Sequence, residues 1–372
     1  MRVQLVDPPA FTPPYDHALS AALTRAGAEV ELVTSHFLYG PVPGEEGYRV
    51  NEAFYSGSAR RGLAARGRRA YKLAEHVRDM RRYRSHAEQA DVVHWQWLPV
   101  PMLDRRLLAP KRPRVFTLHH FLPESPGRRQ AVDVRKRLES FDAVVMHSES
   151  GRRRVEDEFG VREGLVEVIP HGAFDYLTKQ KQEQPLPPEL AAVEGPVVIL
   201  AYGLIRAYKG IEVLLEAFQH IEGAELWIVG LSHLDTESLH RLAADAPGKV
   251  RFIERFIEDT EVPALMRRAD LLVLPYRTVE QSGVLYTGLA FGKPMVLSAV
   301  GGFPEVAAHG GARLVPPGDV DALAATLGEL VGDPAARERL AAASAAAAAN
   351  HYSWDDIGRR TYALYERLLE PS

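Results

Sequence analysis

The sequence contains no cysteine, which excludes disulfide bonds, thiolate zinc sites, iron–sulfur clusters and cysteine nucleophiles. It also lacks an apolar run near the roughly 18 residues that a membrane-spanning helix needs. The first apolar run, Val3–Val6, is shorter than the roughly 7–15 residues of a signal-peptide core. We therefore expect a cytoplasmic protein.

The chain also lacks a strong excess of one charge. Its 372 residues include 45 basic and 49 acidic side chains, a net charge of −4. This balance is not that of a nucleic-acid binder held by a large positive surface, so we expect no nucleic-acid partner.

Short apolar runs recur along the chain and alternate with helical stretches. Most of them are apolar throughout, which is typical of strands buried on both faces of a parallel sheet. The alternation predicts right-handed strand–helix–strand units and an α/β fold of doubly wound layers. The predicted strands are Val3–Val6, Val30–Val33, Val92–Val93, Val115–Leu118, Ala143–Met146, Val166–Ile169, Val197–Tyr202, Leu226–Val229, Val250–Ile253, Leu271–Leu274, Met295–Ser298 and Arg313–Val315.

One stretch, Thr178–Pro196, is polar and proline-rich and shows no periodicity, so we place a domain boundary there. The length suits two domains at roughly 150 residues each. We predict Rossmann-like domains over residues 1–177 and 178–353. The last helix, over 354–372, has Ser353 as its predicted N-cap and an apolar face that must be buried.

A loop with two cations follows the predicted strand Val197–Tyr202. It carries Gly203, Arg206 and Lys209, and a helix is predicted to begin near Ile211. Ligands of open α/β sheets bind beyond the carboxyl ends of the strands. Two cations at that place suit a diphosphate, although in isolation a tight turn with two solvated cations is the better explanation of this segment.

A second loop with ligand-binding features follows Leu271–Leu274. Glu280 precedes a predicted helix start at about Ser282–Gly283, and Gly283 lets a ligand approach the backbone. The free N–H groups and positive dipole end of such a helix suit a phosphate.

Together these segments resemble the donor-binding domain of retaining GT-B glycosyltransferases of family 4. Four blocks match in order, and their order and spacing are more specific than any block alone. They are the G-x-I-R-x-Y-K-G block at 203–210, the Glu280 loop, the F-G-K-P turn at 291–294 and the GGFPE block at 301–305. Upstream, 147–150 and 169–172 also resemble family landmarks.

The resemblance implies roles for individual residues. Arg206 and Lys209 would bind the diphosphate and stabilise it as the leaving group, Glu280 would contact sugar hydroxyls, and His119 would lie beside the reacting sugar. These four are the expected catalytic residues. The expected donor-binding set is Gly203, Arg206, Lys209, Glu280, Gln281, Ser282, Gly283 and Val284.

The resemblance also implies a GT-B fold, with two domains facing across a cleft and the last helix crossing back to the N-terminal domain. The expected reaction moves a sugar from a UDP-, GDP- or other nucleoside-diphosphate sugar to a sugar, lipid-linked or small-molecule acceptor, with retained configuration. No bound cofactor or metal is expected. The expected context is glycan, glycolipid or natural-product biosynthesis. A sugar-nucleotide 2-epimerase and a non-catalytic nucleotide-sugar-binding subunit are the alternatives.

The chain departs from the family pattern at three places. Leu204 stands directly after Gly203, where relatives commonly have the arginine. The second glutamate of the E-x7-E motif is absent, since Gly288 occupies its position. The usual glycine-rich loop after the first strand is replaced by the proline-rich stretch 7–16.

Four further features of the sequence have a structural interpretation, and two of them also have a functional one. Trp97, which follows the predicted strand Val92–Val93, would line an acceptor site or pack in the core. Asp16 would face the acceptor or cap a helix, and His171 fits a turn near the interdomain hinge. The D-x-D stretch at 319–321 fits a helix N-cap rather than a metal site.

The segment 59–86 is strongly basic, with nine arginines and one lysine against two acids. Apolar residues recur at helical spacing within it, at Ala70, Leu73, Val77 and Met80. The segment predicts an amphipathic helix with a solvated basic face. Alternatively, basic residues 60–84 contact an anionic membrane, which would place the protein at its inner face.

Overall fold

The computed structural model describes residues 1–38, 40–42, 44, 46–57, 65–108, 113–119, 127–190 and 195–370. The chain forms two compact units. The first unit comprises Met1–His171 with Ser353–Ser372, and the second comprises Gly172–Tyr352. The chain therefore passes between units after 171 and 352, rather than after 177 and 353. Backbone hydrogen bonds hold the residues after Gly172 within the second unit, among them Ala173 N–H to the Tyr352 carbonyl oxygen at 2.9 Å.

In the described part of the first unit, seven parallel strands form one sheet in the order β3-β2-β1-β4-β5-β6-β7. The strands are β1 (Arg2–Asp7), β2 (Glu29–Ser35), β3 (Arg49–Phe54), β4 (Val92–Trp95), β5 (Arg114–Thr117), β6 (Ala143–Met146) and β7 (Val166–Val168). The helices before residue 171 are α1 (Pro13–Arg25), α2 (Ala65–His86), α3 (Pro101–Leu107), α4 (Arg128–Leu138) and α5 (Glu149–Phe159).

The second unit repeats this architecture with six parallel strands, in the order β10-β9-β8-β11-β12-β13 over its described residues. The strands are β8 (Val197–Tyr202), β9 (Ala224–Val229), β10 (Val250–Ile253), β11 (Leu271–Leu274), β12 (Met295–Ser298) and β13 (Ala312–Val315). The helices are α6 (Ile211–Phe218), α7 (Glu237–Ala244), α8 (Val262–Arg268), α9 (Gly283–Ala290), α10 (Phe303–Val306), α11 (Val320–Gly332) and α12 (Pro334–Asn350).

The last helix, α13 (Trp354–Leu369), packs on α1 in the first unit. Ser353 caps it, and its hydroxyl oxygen accepts the Asp356 N–H at 3.2 Å. The two helices approach closely, because a Cβ at Gly358 would lie 2.6 Å from the carbonyl oxygen of Ala22. The predicted return of the last helix to the N-terminal part of the chain is confirmed.

All the strands that the sequence predicts are present, and β3 is the strand that it misses. β3 lies at the edge of the first sheet, and five of its six residues, 49–53, are half-buried or exposed. An edge strand with one solvated side lacks the continuous apolar run by which the other strands were recognised.

The basic helix is confirmed as α2, and its packed face is the predicted one only in part, because Val77 and Met80 pack against the core. Arg60 and Arg61 of the predicted segment lie outside the described residues. Leu73 is 47% exposed and Ala70 is also exposed, whereas Glu75 and Asp79 are buried. The predicted packed face comprised Ala70, Leu73, Val77 and Met80, of which Met80 is fully buried.

The buried acids of α2 bind backbone that would otherwise lack acceptors. Asp79 accepts the N–H of Tyr55 at 3.0 Å, and Glu75 accepts the N–H of Gly57 at 2.6 Å. Since a buried N–H without a partner is costly, this turn of the chain selects carboxylates on the inner face of α2. Hydrophobic periodicity does not report such a contact. No helix within the described residues has the length and apolar character that crossing a membrane requires.

Candidate functional site

In the second unit, the loops after β8 and β11 meet at the carboxyl edge of the sheet. Gly210 has a left-handed backbone with φ 65°, and a Cβ there would lie 2.1 Å from the carbonyl oxygen of Pro275. The N–H of Arg277 donates to the carbonyl oxygen of Tyr208 at 2.7 Å. These contacts hold the two ligand-binding loops predicted from the sequence against each other.

Lys209 lies between these loops with only 6% of its surface exposed. Its amine is 5.2 Å from the centre of the Tyr276 ring, and among the described residues no carboxylate pairs with it. Burial, with the nearby positive charge of Arg206, lowers the pKa of Lys209 to about 8. The site therefore presents a desolvated cation without an anion.

The start of α9 lies beside this amine. A Cβ at Gly203 would come within 3.0 Å of the Lys209 Nζ atom and 2.9 Å of a Val284 methyl group. Gly203 has φ 96°, a conformation that glycine adopts without strain. The N-cap of α9 is Ser282, whose side chain makes no capping hydrogen bond in the described chain. The first amides of α9 are therefore available to an anion close to Lys209.

Glu280 and Gln281 lie directly before this helix. Glu280 is half-buried, and its carbonyl oxygen accepts the N–H of Gly302 at 3.3 Å. A Cβ at Gly301 would lie 1.9 Å from the Val279 carbonyl oxygen, so the glycines of the GGFPE block allow the two loops to touch. The side-chain oxygen of Gln281 accepts the hydroxyl of Tyr286 at 2.5 Å.

Gly288 occupies the position of the absent second glutamate, and its surroundings explain why no side chain is present there. A Cβ at this position would lie 2.6 Å from a methyl group of Leu272 and 2.9 Å from the sulfur of Met295. Gly288 is buried on the inner side of α9, so the position has no room for a side chain.

A cavity of about 490 Å³ opens beside Arg206 at the same sheet edge. The exposed surface of its wall is mainly apolar, and Arg206 and Arg277 are among the residues that line it. Arg277 also pairs with Glu212 at 2.7 Å. The lining residues are Ile205, Arg206, Ala207, Tyr208, Ile211, Glu212, Leu234, Asp235, Ser238, Leu239, Arg277 and Thr278.

His119 belongs to the first unit, where it follows β5 at the carboxyl edge of that sheet. His147 Nδ1 lies 2.9 Å from the carbonyl oxygen of Ile169 and donates to it. Burial lowers the pKa of His147 to about 4, so the neutral ring presents a bare Nε2 to His119 Nδ1, 3.4 Å away. His119 Nδ1 therefore donates, and its Nε2 faces the Gln96 carboxamide at 3.0 Å.

Trp97 lies against the other face of His119. The two rings are stacked, with centroids 5.3 Å apart and an interplanar angle of 17°. The Trp97 N–H donates to the hydroxyl of Thr12 at 2.8 Å. Trp97 is thus buried, as the packing interpretation expects, and it lies at the strand ends.

Asp7 and Asp16 form a buried acidic pair that sequence reasoning missed. Asp16 does not cap α1, because the N-cap is Thr12 and Asp16 lies in the first turn. Thr12 contacts both carboxyls, since its N–H donates to Asp7 Oδ2 at 3.3 Å and its hydroxyl donates to Asp16 Oδ2 at 3.4 Å. Burial raises the pKa of Asp7 to about 6 and that of Asp16 well above its usual value. Neither Asp7 at the end of β1 nor Asp16 in the first turn of α1 carries a signal of this pairing in the sequence.

Within the described residues, no three His, Cys, Asp or Glu side chains are grouped as metal ligands. The D-x-D stretch has the predicted structural role, because Asp319 is the N-cap of α11 and accepts the Ala322 N–H at 2.9 Å. His171 lies at the junction of the two compact units, where a turn was predicted.

Solved structures with the same fold span almost the whole chain. The sucrose-phosphate synthase of Thermosynechococcus elongatus superposes with a TM-score of 0.73 at 20% identity, over 99% of both chains. HepE of Anabaena, solved with UDP and glucose, superposes with a TM-score of 0.71 at 18% identity, over 99% of this chain and 100% of that one. These similarities establish a two-domain GT-B fold.

Sequence comparison adds the family. A GDP-mannose:glycolipid 4-beta-D-mannosyltransferase of Xanthomonas campestris pv. campestris is 29% identical over 191 residues, which are 50% of this chain and 49% of that protein. The chain spans 28% to 49% of the length of the first curated relatives it matches. Residues 15–173 match the sequence model of Glycosyltransferase Family 4, and residues 196–333 match that of Glycosyl transferases group 1. The chain belongs to the group 1 glycosyltransferases of family 4.

Proposed function

We propose that this chain is a retaining glycosyltransferase that moves a sugar from a nucleoside-diphosphate sugar to an acceptor. The observation that carries the proposal is the buried Lys209 amine beside the open N-terminus of α9. A buried cation without a counter-ion is costly to the fold. A diphosphate supplies that counter-ion and also satisfies the helix amides.

The chemistry follows from this placement. When the bond from the anomeric carbon to the diphosphate breaks, negative charge develops on the leaving oxygen. Fixed cations and amides aimed at that charge lower the barrier, and one such contact is typically worth about 3 kcal/mol. We assign this role to Arg206, Lys209 and the amides of Ser282, Gly283 and Val284, with Gly203 giving the close approach.

The remaining predicted residues contact the sugar. We assign Glu280 and Gln281 to the hydroxyls of the donor sugar and His119 to the reacting centre, its ring held by His147 and Trp97. The second unit, by this proposal, binds the donor, and the first binds the acceptor. The leaving phosphate takes the acceptor proton, so no protein base is assigned and no metal is required.

The names and structures of relatives support UDP or GDP as the nucleotide. HepE was solved with UDP, and the Xanthomonas relative is named for GDP-mannose. We propose a cytoplasmic enzyme of glycan, glycolipid or natural-product biosynthesis.

We propose that the first unit also contacts an anionic membrane. The outer face of α2 exposes Leu73, Arg81 and Arg82, and Met102 on the adjacent α3 is 71% exposed. Basic groups near an anionic surface contribute about 1 kcal/mol each. Sedimentation with phosphatidylglycerol-containing and pure phosphatidylcholine vesicles is the test. Equal binding to both would contradict the proposal.

The donor site is tested by thermal unfolding with UDP, GDP, ADP and dTDP, each with and without EDTA. A ligand at 100 times its Kd adds about 2.7 kcal/mol, a clear upward shift. We expect one nucleotide to stabilise the protein regardless of EDTA, and Lys209→Met to lose the effect.

Lys293→Met is the matched control. Lys293 is also a largely buried lysine of the second unit, but its amine donates to the Ala269 carbonyl oxygen at 2.7 Å. This variant should retain the nucleotide response relative to its own baseline. Absence of any nucleotide response in the unmodified protein would overturn the proposal. If the protein converted a nucleotide sugar to its epimer in the absence of any acceptor, the isomerase alternative would replace the glycosyltransferase proposal.

A further inference from the structure

The loop after β1 presents an exposed aromatic ring on a fixed backbone. Phe11 is 58% exposed, yet its N–H donates to the Asp7 carboxylate at 2.7 Å. The preceding residue, Ala10, is held at φ 51° with its N–H donating to the Asp7 carbonyl oxygen at 3.2 Å. A left-handed non-glycine residue costs about 1 kcal/mol or more and persists only where neighbouring contacts impose it.

The ring of Phe11 rests on Trp97. The two rings meet edge to face, with centroids 5.2 Å apart and an interplanar angle of 89°. Thr12 fixes both partners, because its N–H donates to Asp7 at 3.3 Å and its hydroxyl accepts the Trp97 N–H. Trp97 also stacks on His119, so Phe11 is connected to the candidate catalytic histidine through one intervening ring.

The acidic pair beneath the loop keeps this arrangement in place. Asp7 and Asp16 are 0% and 1% exposed, and the Oδ1 atom of each has no hydrogen-bond donor among the described residues. A single proton shared between the two carboxyls satisfies both oxygens, since two buried like charges in contact cannot both ionise. The Oδ2 atoms are then free to accept from the loop, including the Thr12 hydroxyl to Asp16 at 3.4 Å.

We propose that Phe11, backed by Trp97, is the platform on which the acceptor lays the apolar face of a sugar ring, and that the Asp7–Asp16 pair positions this platform. This inference rests on the proposed function and specifies that the acceptor of the transferred sugar is itself a carbohydrate. An exposed aromatic ring on a rigid loop binds flat ligands at low entropic cost.

The surroundings favour a sugar over a lipid chain. Two half-buried polar groups lie beside the platform, the Thr12 hydroxyl and the His119 imidazole, and both contact Trp97. A pyranose offers one apolar C–H face and a rim of hydroxyls, and it matches a single ring with polar neighbours. An acyl chain needs a continuous apolar surface instead.

Saturation-transfer NMR of the full chain with methyl β-D-glucopyranoside and methyl α-D-mannopyranoside is the test, with 1-octanol as the apolar probe. We expect transfer to the ring C–H protons of at least one glycoside. Phe11→Ala should reduce that signal at least fivefold, and Phe11→Trp should retain it. Leu369→Ala, which removes another exposed apolar side chain of the first unit, should leave it unchanged.

The positioning role has its own variants. Asp16→Asn supplies an amide N–H in place of the shared proton and should retain the glycoside signal. Asp16→Ala should lose this signal, although Phe11 and Trp97 are both still present. Thermal unfolding of both variants confirms that the chain is folded. Loss in Asp16→Asn equal to that in Asp16→Ala would contradict the shared-proton role.

The platform and the proposed function fail in different ways. Stabilisation by UDP or GDP without glycoside contact, or with contact that survives Phe11→Ala, would overturn the platform alone. Stronger transfer to octanol than to either glycoside would replace the sugar with a lipid. Absence of nucleotide stabilisation would overturn the donor site first.

Discussion

Replacing Lys209 by methionine should stabilise the unliganded protein while removing its affinity for nucleotides. Burial lowers the pKa of this lysine from 10.5 to about 8, so the fold disfavours the charged amine. A difference of that size corresponds to about 3 kcal/mol at pH 7. Methionine keeps much of the volume and the contact with Tyr276 but carries no charge. After allowance for the lost cation–π contact of about 1 kcal/mol, a gain of about 2 kcal/mol is expected.

The pH dependence has a defined sign. The folded state releases the proton of Lys209 near pH 8, whereas the unfolded state keeps it until about 10.5. Between these values the unfolded state binds more protons, so the stability of the unmodified protein rises with pH. Below pH 8 both states are protonated, and this group contributes no slope.

Urea unfolding at pH 7.0 and pH 9.5 measures both effects. We expect Lys209→Met to be the more stable protein at pH 7.0, with a smaller advantage at pH 9.5. The control, Lys293→Met, leaves the Ala269 carbonyl oxygen without its donor and should be destabilised by about 1–3 kcal/mol. A Lys209→Met protein less stable than the unmodified one at pH 7.0 would refute the reasoning.

Three further predictions concern packing, capping and the histidine pair. Gly288→Glu should lower stability by about 3 kcal/mol or more in thermal unfolding, because its Cβ would meet Leu272 and Met295, and it should not restore the missing glutamate. Ser353→Ala should cost about 1 kcal/mol in urea unfolding through loss of the α13 cap, and Ser353→Asp should recover it. His147→Phe removes the acceptor of the His119 Nδ1 proton and should shift the pH profile of donor turnover, with little change in the Kd for nucleotide by calorimetry.

Much of the fold was predictable from the sequence for a simple physical reason. Strands such as β11 and β12 are buried on both faces, so nearly all of their residues are apolar and the run is easily recognised. The ligand-binding position of the loops after β8 and β11, which lead to Lys209 and Gly283, follows from topology. Glycines at Gly203 and Gly210 mark the close approaches that the structure contains.

The features that were missed depend on contacts between distant segments. The buried face of α2 carries Glu75 and Asp79 because the turn at 55–57 needs acceptors, and no local pattern encodes that need. Asp7 and Asp16 look like a strand end and a helix cap until the fold brings their carboxyls together. Polar contacts of this kind depend on tertiary geometry, and hydrophobic periodicity in the sequence does not predict them.

The first unit is discontinuous in sequence, and this affects the order in which the protein can fold during synthesis. The ribosome completes the whole of Gly172–Tyr352 before it makes α13, so the second unit has every residue it needs while the first is still incomplete. Before α13 is synthesised, the face of α1 that includes Leu19 and Ala22 lacks the helix that packs against it. We therefore expect nascent chains ending near residue 352 to present this apolar face to chaperones, and a further 20 residues of synthesis to remove it.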